Sequence, residues 1–128
     1  MLILLTFAAV NGPTSAQSKP ITIFLAGDST MAKKLPEKRP ETGWGEMLAR
    51  FFEEGKVVID NRAQNGRSTR TFIAEGRWQA LIDALQSGDY VFIQFGHNDE
   101  SKEKVDRYTP PNDFRNNLGR VHTISETR

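Results

Sequence analysis

Three short apolar runs constrain this chain more than any other feature. Ile21-Thr22-Ile23-Phe24-Leu25-Ala26, Val57-Val58-Ile59 and Tyr90-Val91-Phe92-Ile93-Gln94-Phe95 are apolar almost throughout. A strand with one wet face alternates apolar and polar residues, whereas a strand covered on both faces does not. The runs therefore predict strands of a parallel sheet with helices on both sides. The segments between them carry helical spacing. Trp44, Met47, Leu48, Phe51 and Phe52 fall on one helical face, with Thr42 as N-cap and Gly55 as stop. Ile73, Gly76, Ala80, Leu81, Ala84 and Leu85 form a second face, ended by Gly88. Pro110-Pro111 precedes a last helix, capped by Asn112 or Asp113, with Phe114, Leu118 and Val121 on one face. Met31–Pro40 is polar and reads as a loop. The result is βαβαβα, an α/β class chain with a three-layer α/β/α parallel sheet.

Doubly wound sheets place their working loops at the carboxyl ends of the strands. A glycine-polar turn stands at each of these ends. Gly27-Asp28-Ser29 follows the first run, Asn65-Gly66-Arg67-Ser68 the second, and Gly96-His97-Asn98-Asp99 the third. The three are far apart in sequence and converge in such a fold.

Charge excludes some functions. Lys and Arg total 17 and Asp and Glu total 16 over 128 residues, a net charge of +1. That balance gives no reason to expect nucleic acid or an anionic membrane as partner. The cluster Lys33-Lys34 with Glu37-Lys38-Arg39 reads as a solvated loop. With no cysteine, disulfides and thiolate chemistry are excluded. The two histidines, His97 and His122, have no third ligand near them and make no zinc site. Residues 1–18 read as a signal peptide or leader. Leu2–Val10 has the length of a signal-peptide core and is far short of the roughly 20 apolar residues a spanning helix needs. Thr14-Ser15-Ala16 offers small residues for cleavage, although no Lys or Arg precedes the run. A secreted or periplasmic protein with no lasting membrane anchor is expected, the alternative being an N-terminal tail.

The turns hold parts of an acyl-transfer site. Such chemistry needs a nucleophile, a base, and N–H donors for the oxyanion. Ser29 stands where a nucleophile would, with Gly27 permitting a sharp turn and close backbone approach. Gly66 presents a backbone N–H, and Asn98 an amide N–H. Taken singly, each turn reads better as an ordinary capped or Asn-Gly turn; taken together at three strand ends they read as one site. His97 adjoins Asn98, and neighbours in an extended turn point apart, so a structural or substrate-facing role suits it better than that of base. Asp28, beside Ser29, is badly placed to orient a base.

These residues resemble the SGNH hydrolases, also called the GDSL esterase/lipase family, over about Ile21 to Arg128. Gly27-Asp28-Ser29 is similar to the first family block, Gly66 to the second, and Gly96, Asn98 and Asp99 to the third. Gly-Asp-Ser-Thr, Gly43-Trp44-Gly45, Asn65-Gly66-Arg67-Ser68-Thr69 and Phe95-Gly96-His97-Asn98-Asp99 look most like the rhamnogalacturonan acetylesterase branch. The resemblance implies Ser29 as nucleophile, with oxyanion donors from the backbone of Ser29 and Gly66 and the side chain of Asn98. Gly27, Asp28, His97 and Asp99 would support them. It implies a flavodoxin-like sheet of five strands, a serine esterase acting on acetylated plant cell-wall polysaccharide, and no cofactor or metal. The family's Asp-x-x-His block, which supplies the triad acid and base, is not among these residues. Residues 19–128 are thus expected to be the N-terminal part of an SGNH domain, with about three strands of five. By themselves they are expected to fold poorly and show little activity. The alternatives are an inactive carbohydrate-binding or remnant domain, and a flavodoxin-like phosphate or nucleotide binder. The last lacks any Gly-x-Gly-x-x-Gly or Walker pattern.

Overall fold

A computed structural model describes residues 19–125, with side chains through Arg120. The expected leader at 1–18 and the side chains of Val121 and His122 lie outside the described residues. The elements run β1 (Ile21–Gly27), α1 (Trp44–Met47), β2 (Val57–Asn61), α2 (Thr69–Ala74), α3 (Arg77–Ala84), β3 (Tyr90–Gln94) and α4 (Pro111–Ser125). The sheet is parallel, in the order β2-β1-β3. The α/β class read from the apolar runs is therefore the observed one.

β1 is central, and its side chains alternate between two cores. Phe24 and Ala26 face Phe72 of α2 and Trp78, Leu81 and Ile82 of α3. Ile23 and Leu25 face Met31, Ala32, Ala63 and Leu48. Leu25 is fully buried, a contribution of about 1.5–3 kcal/mol for a side chain of its size. The two crossovers lie on opposite faces, as right-handed connections require when the chain moves first to one side of β1 and then to the other. The layer of α1 covers β1 and β2 but not β3, so Tyr90 and Phe92 remain 57% and 40% exposed. Among the described residues β3 pairs only with β1.

Several sequence expectations are corrected. The predicted helix over Trp44–Phe52 is one α turn followed by a 3-10 turn, Leu48–Phe51. Only part of its apolar face is covered: Leu48 packs on the β1 core, while Trp44, Phe51 and Phe52 are exposed. Periodicity identified the turn, but among the described residues Trp44, Phe51 and Phe52 find no cover that would extend it. The N-cap is Gly43, not Thr42, whose hydroxyl donates to the Pro40 carbonyl at 3.1 Å. Phe52 already leaves helical geometry, ahead of Gly55. The second helical face is broken into α2 and α3 by Gly76, which is exposed with φ +70° and ends one helix before the next begins. α4 starts at Pro111, before Asn112 and Asp113, with Pro110 accepting the Phe114 N–H at 2.9 Å. Proline at a first helical position forfeits no hydrogen bond.

The stretch Met31–Pro40 is not simply a polar loop, since Met31, Ala32 and Lys34 are buried. Nor is the charged cluster simply solvated. Lys34 meets Glu41 at 2.6 Å and Arg39 meets Glu46 at 2.6 Å. Glu46 also accepts the N–H groups of Lys34 and Gly43 at 3.0 and 3.1 Å.

Candidate functional site

The strand order fixes where a site belongs. The chain winds from β1 to β2 on one side and then to β3 on the other, so the reversal lies between β1 and β3. The crevice outside the carboxyl ends at such a reversal is where open α/β sheets bind ligands. The turns after β1 and β3 border it.

The turn after β1 is short and tightly packed. Met31 and Ala32 return their N–H groups to the Asp28 carbonyl at 3.3 and 3.0 Å, making one helical turn that carries Ser29. Asp28 is fully buried. Its Oδ1 accepts the Thr30 N–H at 3.0 Å and the Thr30 hydroxyl, an Asx turn that stiffens the backbone around Ser29. Gln94, the last residue of β3, closes the set: its side-chain carboxamide lies 2.9 Å from the Thr30 hydroxyl oxygen, and its Nε2 donates to Asp28 Oδ1 at 3.5 Å.

Gly27 is not in the left-handed region, so the sharp-turn reason for a glycine does not hold. The reason is space. A Cβ there would stand 2.8 Å from both the Gln94 carbonyl oxygen and Met31 Sδ. Gly43 and Gly45 press on the same turn from the other side. Their added Cβ atoms would stand 2.0 Å from the Ala32 oxygen and 2.6 Å from the Met31 oxygen. Trp44 and Gly45 donate their N–H groups to Thr30 and Met31 at 3.0 and 3.2 Å. Gly-Trp-Gly is thus a backbone clamp on the Ser29 turn.

The second turn is tied to the first by the Gln64 N–H, which donates to the Gly27 carbonyl at 2.9 Å. Gly66 lies at φ +76°, a conformation that side-chain-bearing residues rarely adopt. Ser68 then caps α2, its Oγ accepting the Thr71 N–H at 3.3 Å.

The third turn reaches back to the second. Asn98 is buried, and its Nδ2 donates to the Arg67 carbonyl at 3.0 Å. The buried Asp99 carboxylate accepts the Thr69 N–H at 2.9 Å and the Thr69 hydroxyl at 2.6 Å, placing negative charge at the start of α2. Asn117 of α4 donates to that same hydroxyl at 3.0 Å.

Several N–H donors in these turns are left over, and three of them bear on acyl transfer. Among the described residues nothing accepts the Ser29 N–H, the Gly66 N–H or the second N–H of Asn98. Ser29 is half-buried, and its hydroxyl bonds no side chain among the described residues. Fixed, unpaired N–H groups can stabilise a developing oxyanion without reorganising. His97 is elsewhere: its side chain is 73% exposed, with Nδ1 3.8 Å from Glu100 Oε1, on the rim of a groove of about 570 Å³.

Comparison with known proteins identifies the family. A family model described as GDSL-like Lipase/Acylhydrolase matches residues 25–127. The chain belongs to the GDSL-like lipase/acylhydrolase family. This GDSL-like chain is 45% identical over 91 residues to the rhamnogalacturonan acetylesterase RhgT of Bacillus subtilis, covering 71% of the chain and 39% of RhgT. It is 53% identical over 78 residues to a rhamnogalacturonan acetylesterase of Emericella nidulans, covering 61% of the chain and 28% of that protein. The crystal structure of YxiM from Bacillus subtilis superposes with a TM-score of 0.68 at 27% identity, over 77% of the chain and 27% of YxiM. The matched part of the GDSL-like chain thus spans well under half the length of each relative.

Sequence reasoning missed the residues that join the turns. Gln94 left a trace as the one polar residue in an apolar strand. Thr69 was visible only as part of the Asn-Gly-Arg-Ser-Thr motif. Arg107, whose Nη1 donates to Asn98 Oδ1 at 3.4 Å, left none, because it sits in a charged stretch that reads as solvent-facing loop.

Proposed function

We propose that this protein is a serine esterase that removes acetyl groups from a pectic polysaccharide. Ser29 Oγ attacks the acyl carbonyl, and the N–H groups of Ser29, Gly66 and Asn98 hold the resulting oxyanion. Collapse expels the sugar hydroxyl and leaves the acetyl group on Ser29, which water then releases. The serine proton goes to the histidine of the family's Asp-x-x-His block, which none of the 128 residues supplies. Support for this reading comes from one observation above all: the donors the chemistry requires, the N–H groups of Ser29 and Gly66 and the second N–H of Asn98, all stand without an acceptor among the described residues. The pectic substrate is supported by the names of RhgT and the Emericella relative. Export through the 1–18 leader belongs to the same proposal, and N-terminal sequencing of the exported protein checks it.

The deciding test is Ser29→Ala in the full-length protein, assayed on an aryl acetate and on acetylated rhamnogalacturonan. Turnover should fall by at least ~10³-fold, since removing a nucleophile leaves only oxyanion and binding terms. Undiminished turnover removes the esterase reading. Polysaccharide binding by a wild-type protein that shows no turnover makes this a binding domain instead.

A further inference from the structure

Beyond β3 the chain leaves the crevice and then returns a guanidinium to it. The return is anchored on both sides of Arg107. Arg107 and Tyr108 donate their N–H groups to the Lys104 carbonyl at 3.0 and 2.9 Å. The Tyr108 carbonyl accepts from Arg70 Nη1 at 3.1 Å, and the Thr109 N–H donates to the Asp99 carbonyl at 3.0 Å. From this base Arg107 Nη1 donates to Asn98 Oδ1 at 3.4 Å. The same nitrogen lies 3.3 Å from where a Cβ on Gly66 would stand, so the glycine leaves it room. Arg107 Nε is buried without a hydrogen-bond partner, and Asp106 comes no nearer to it than 3.7 Å. Burying a donor without a hydrogen bond is unfavourable, and the carboxylate beside it, Asp106, stands at ion-pair range and beyond hydrogen-bond reach.

What the placement accomplishes is visible at the Asn98 amide. A carboxamide has one acceptor oxygen and two N–H donors, and rotating it by half a turn exchanges the two ends. Here the oxygen faces a guanidinium and one N–H faces the Arg67 carbonyl. The rotated amide would set donor against donor at Arg107 and acceptor against acceptor at Arg67. Only one orientation is allowed, and it leaves the second N–H of Asn98 free. A cation on the amide oxygen also draws electron density from the nitrogen and strengthens that N–H as a donor.

We propose that Arg107 is a positioning residue that locks and polarises the Asn98 amide, so that its free N–H is presented to the oxyanion. This rests on the reading of Asn98 as an oxyanion donor. The test uses the full-length protein with Arg107→Met and Arg107→Lys, an uncharged aryl acetate, and side-chain 15N relaxation of the Asn98 amide, assigned through Asn98→Ala. Arg107→Met should lower kcat by about 10- to 100-fold, with KM within about threefold of wild type. Its Asn98 amide should lose order, and Arg107→Lys should recover part of both. An Asn98 amide as ordered in Arg107→Met as in wild type overturns the proposal, whatever the activity. So does a KM that rises on acidic pectic substrate while kcat on the neutral ester is unchanged, which would make Arg107 a carboxylate contact. If Ser29→Ala retains full turnover, the esterase reading falls, and the Asn98 relaxation still decides whether Arg107 holds the amide.

Discussion

The turns after β1 and β3 each carry a buried aspartate, yet they are held by different means. The Asp28 carboxylate bonds mainly within its own turn, to Thr30 two residues on, with a longer bond from Gln94 Nε2 at 3.5 Å. Three glycines, Gly27, Gly43 and Gly45, leave no room for that turn to move. Asp99 reaches Thr69, 30 residues earlier, and its neighbour Asn98 bonds Arg67. At Gly96 an added Cβ meets nothing within 4 Å. The first turn is thus fixed by excluded volume on top of its hydrogen bonds, whereas the third relies on polar bridges across the fold without that packing at Gly96. A serine that must attack in one direction gains from steric fixing. A donor that must meet an oxyanion gains from a network that sets its orientation.

The sharpest way to break this contrast is a pair of glycine variants. Gly43→Ala drives a Cβ to 2.0 Å from the Ala32 oxygen and should cost about 3 kcal/mol or more, because backbone cannot yield as a side chain can. Gly96→Ala meets open space and should cost only about 1–2 kcal/mol, from its φ of +144°. Urea unfolding of both decides: if Gly43→Ala is the milder of the two, packing does not distinguish the turns.

Next in size, Asp99→Ala leaves the Thr69 N–H and hydroxyl without their shared acceptor and should cost about 2–3 kcal/mol. Thermal unfolding would show it, and an unchanged midpoint would mean that the bridge from the third turn to α2 contributes nothing. Asp28→Asn keeps an Oδ1 acceptor for Thr30 and should cost about 1 kcal/mol or less. A larger loss would show that the Asp28 charge matters and not just its local geometry.

The smallest effect is on acid stability around the Gly43 clamp. Hydrogen bonding from Arg39, followed by the Lys34 and Gly43 N–H groups, holds the Glu46 carboxyl down to about 2, against an opposing effect of burial. A hydrogen bond from Lys34 likewise lowers Glu41, and hydrogen bonds from Arg77 and Arg67 lower Glu75. A carboxyl whose folded pKa lies below its unfolded value contributes stability that is complete above the unfolded pKa. For Glu46 that contribution is lost as pH falls from 4.5 to about 2. Glu46→Gln should flatten the pH dependence of unfolding in that window; an unchanged slope would mean that the Arg39–Glu46 pair is not felt.

Much of this was legible in the residues. Strands with apolar residues on both faces do not alternate, so Ile21–Ala26 and Tyr90–Phe95 announced a parallel sheet, although one face of β3 at Tyr90 and Phe92 is exposed. Glycine-polar turns at their ends announced where a site belongs. Less legible was anything depending on a neighbour far along the chain. Trp44, Met47 and Phe51 have helical spacing, but that spacing does not say whether a partner exists to bury them, and their helix stops after one α turn. Gly76 fits an apolar face as well as it fits a break, and only the observed left-handed conformation shows which it is.

The sequence by itself determined the α/β class, the order of the elements along the chain and the three turns, because periodicity and glycine geometry act within a few residues. The tertiary structure decided that Gly43 clamps the Ser29 turn, that Asp99 holds α2, and that Arg107 faces Asn98. Those contacts arise when the winding of a sheet brings separated loops to one end. Which side chains then meet depends on the path of the whole backbone, and no local pattern encodes that path.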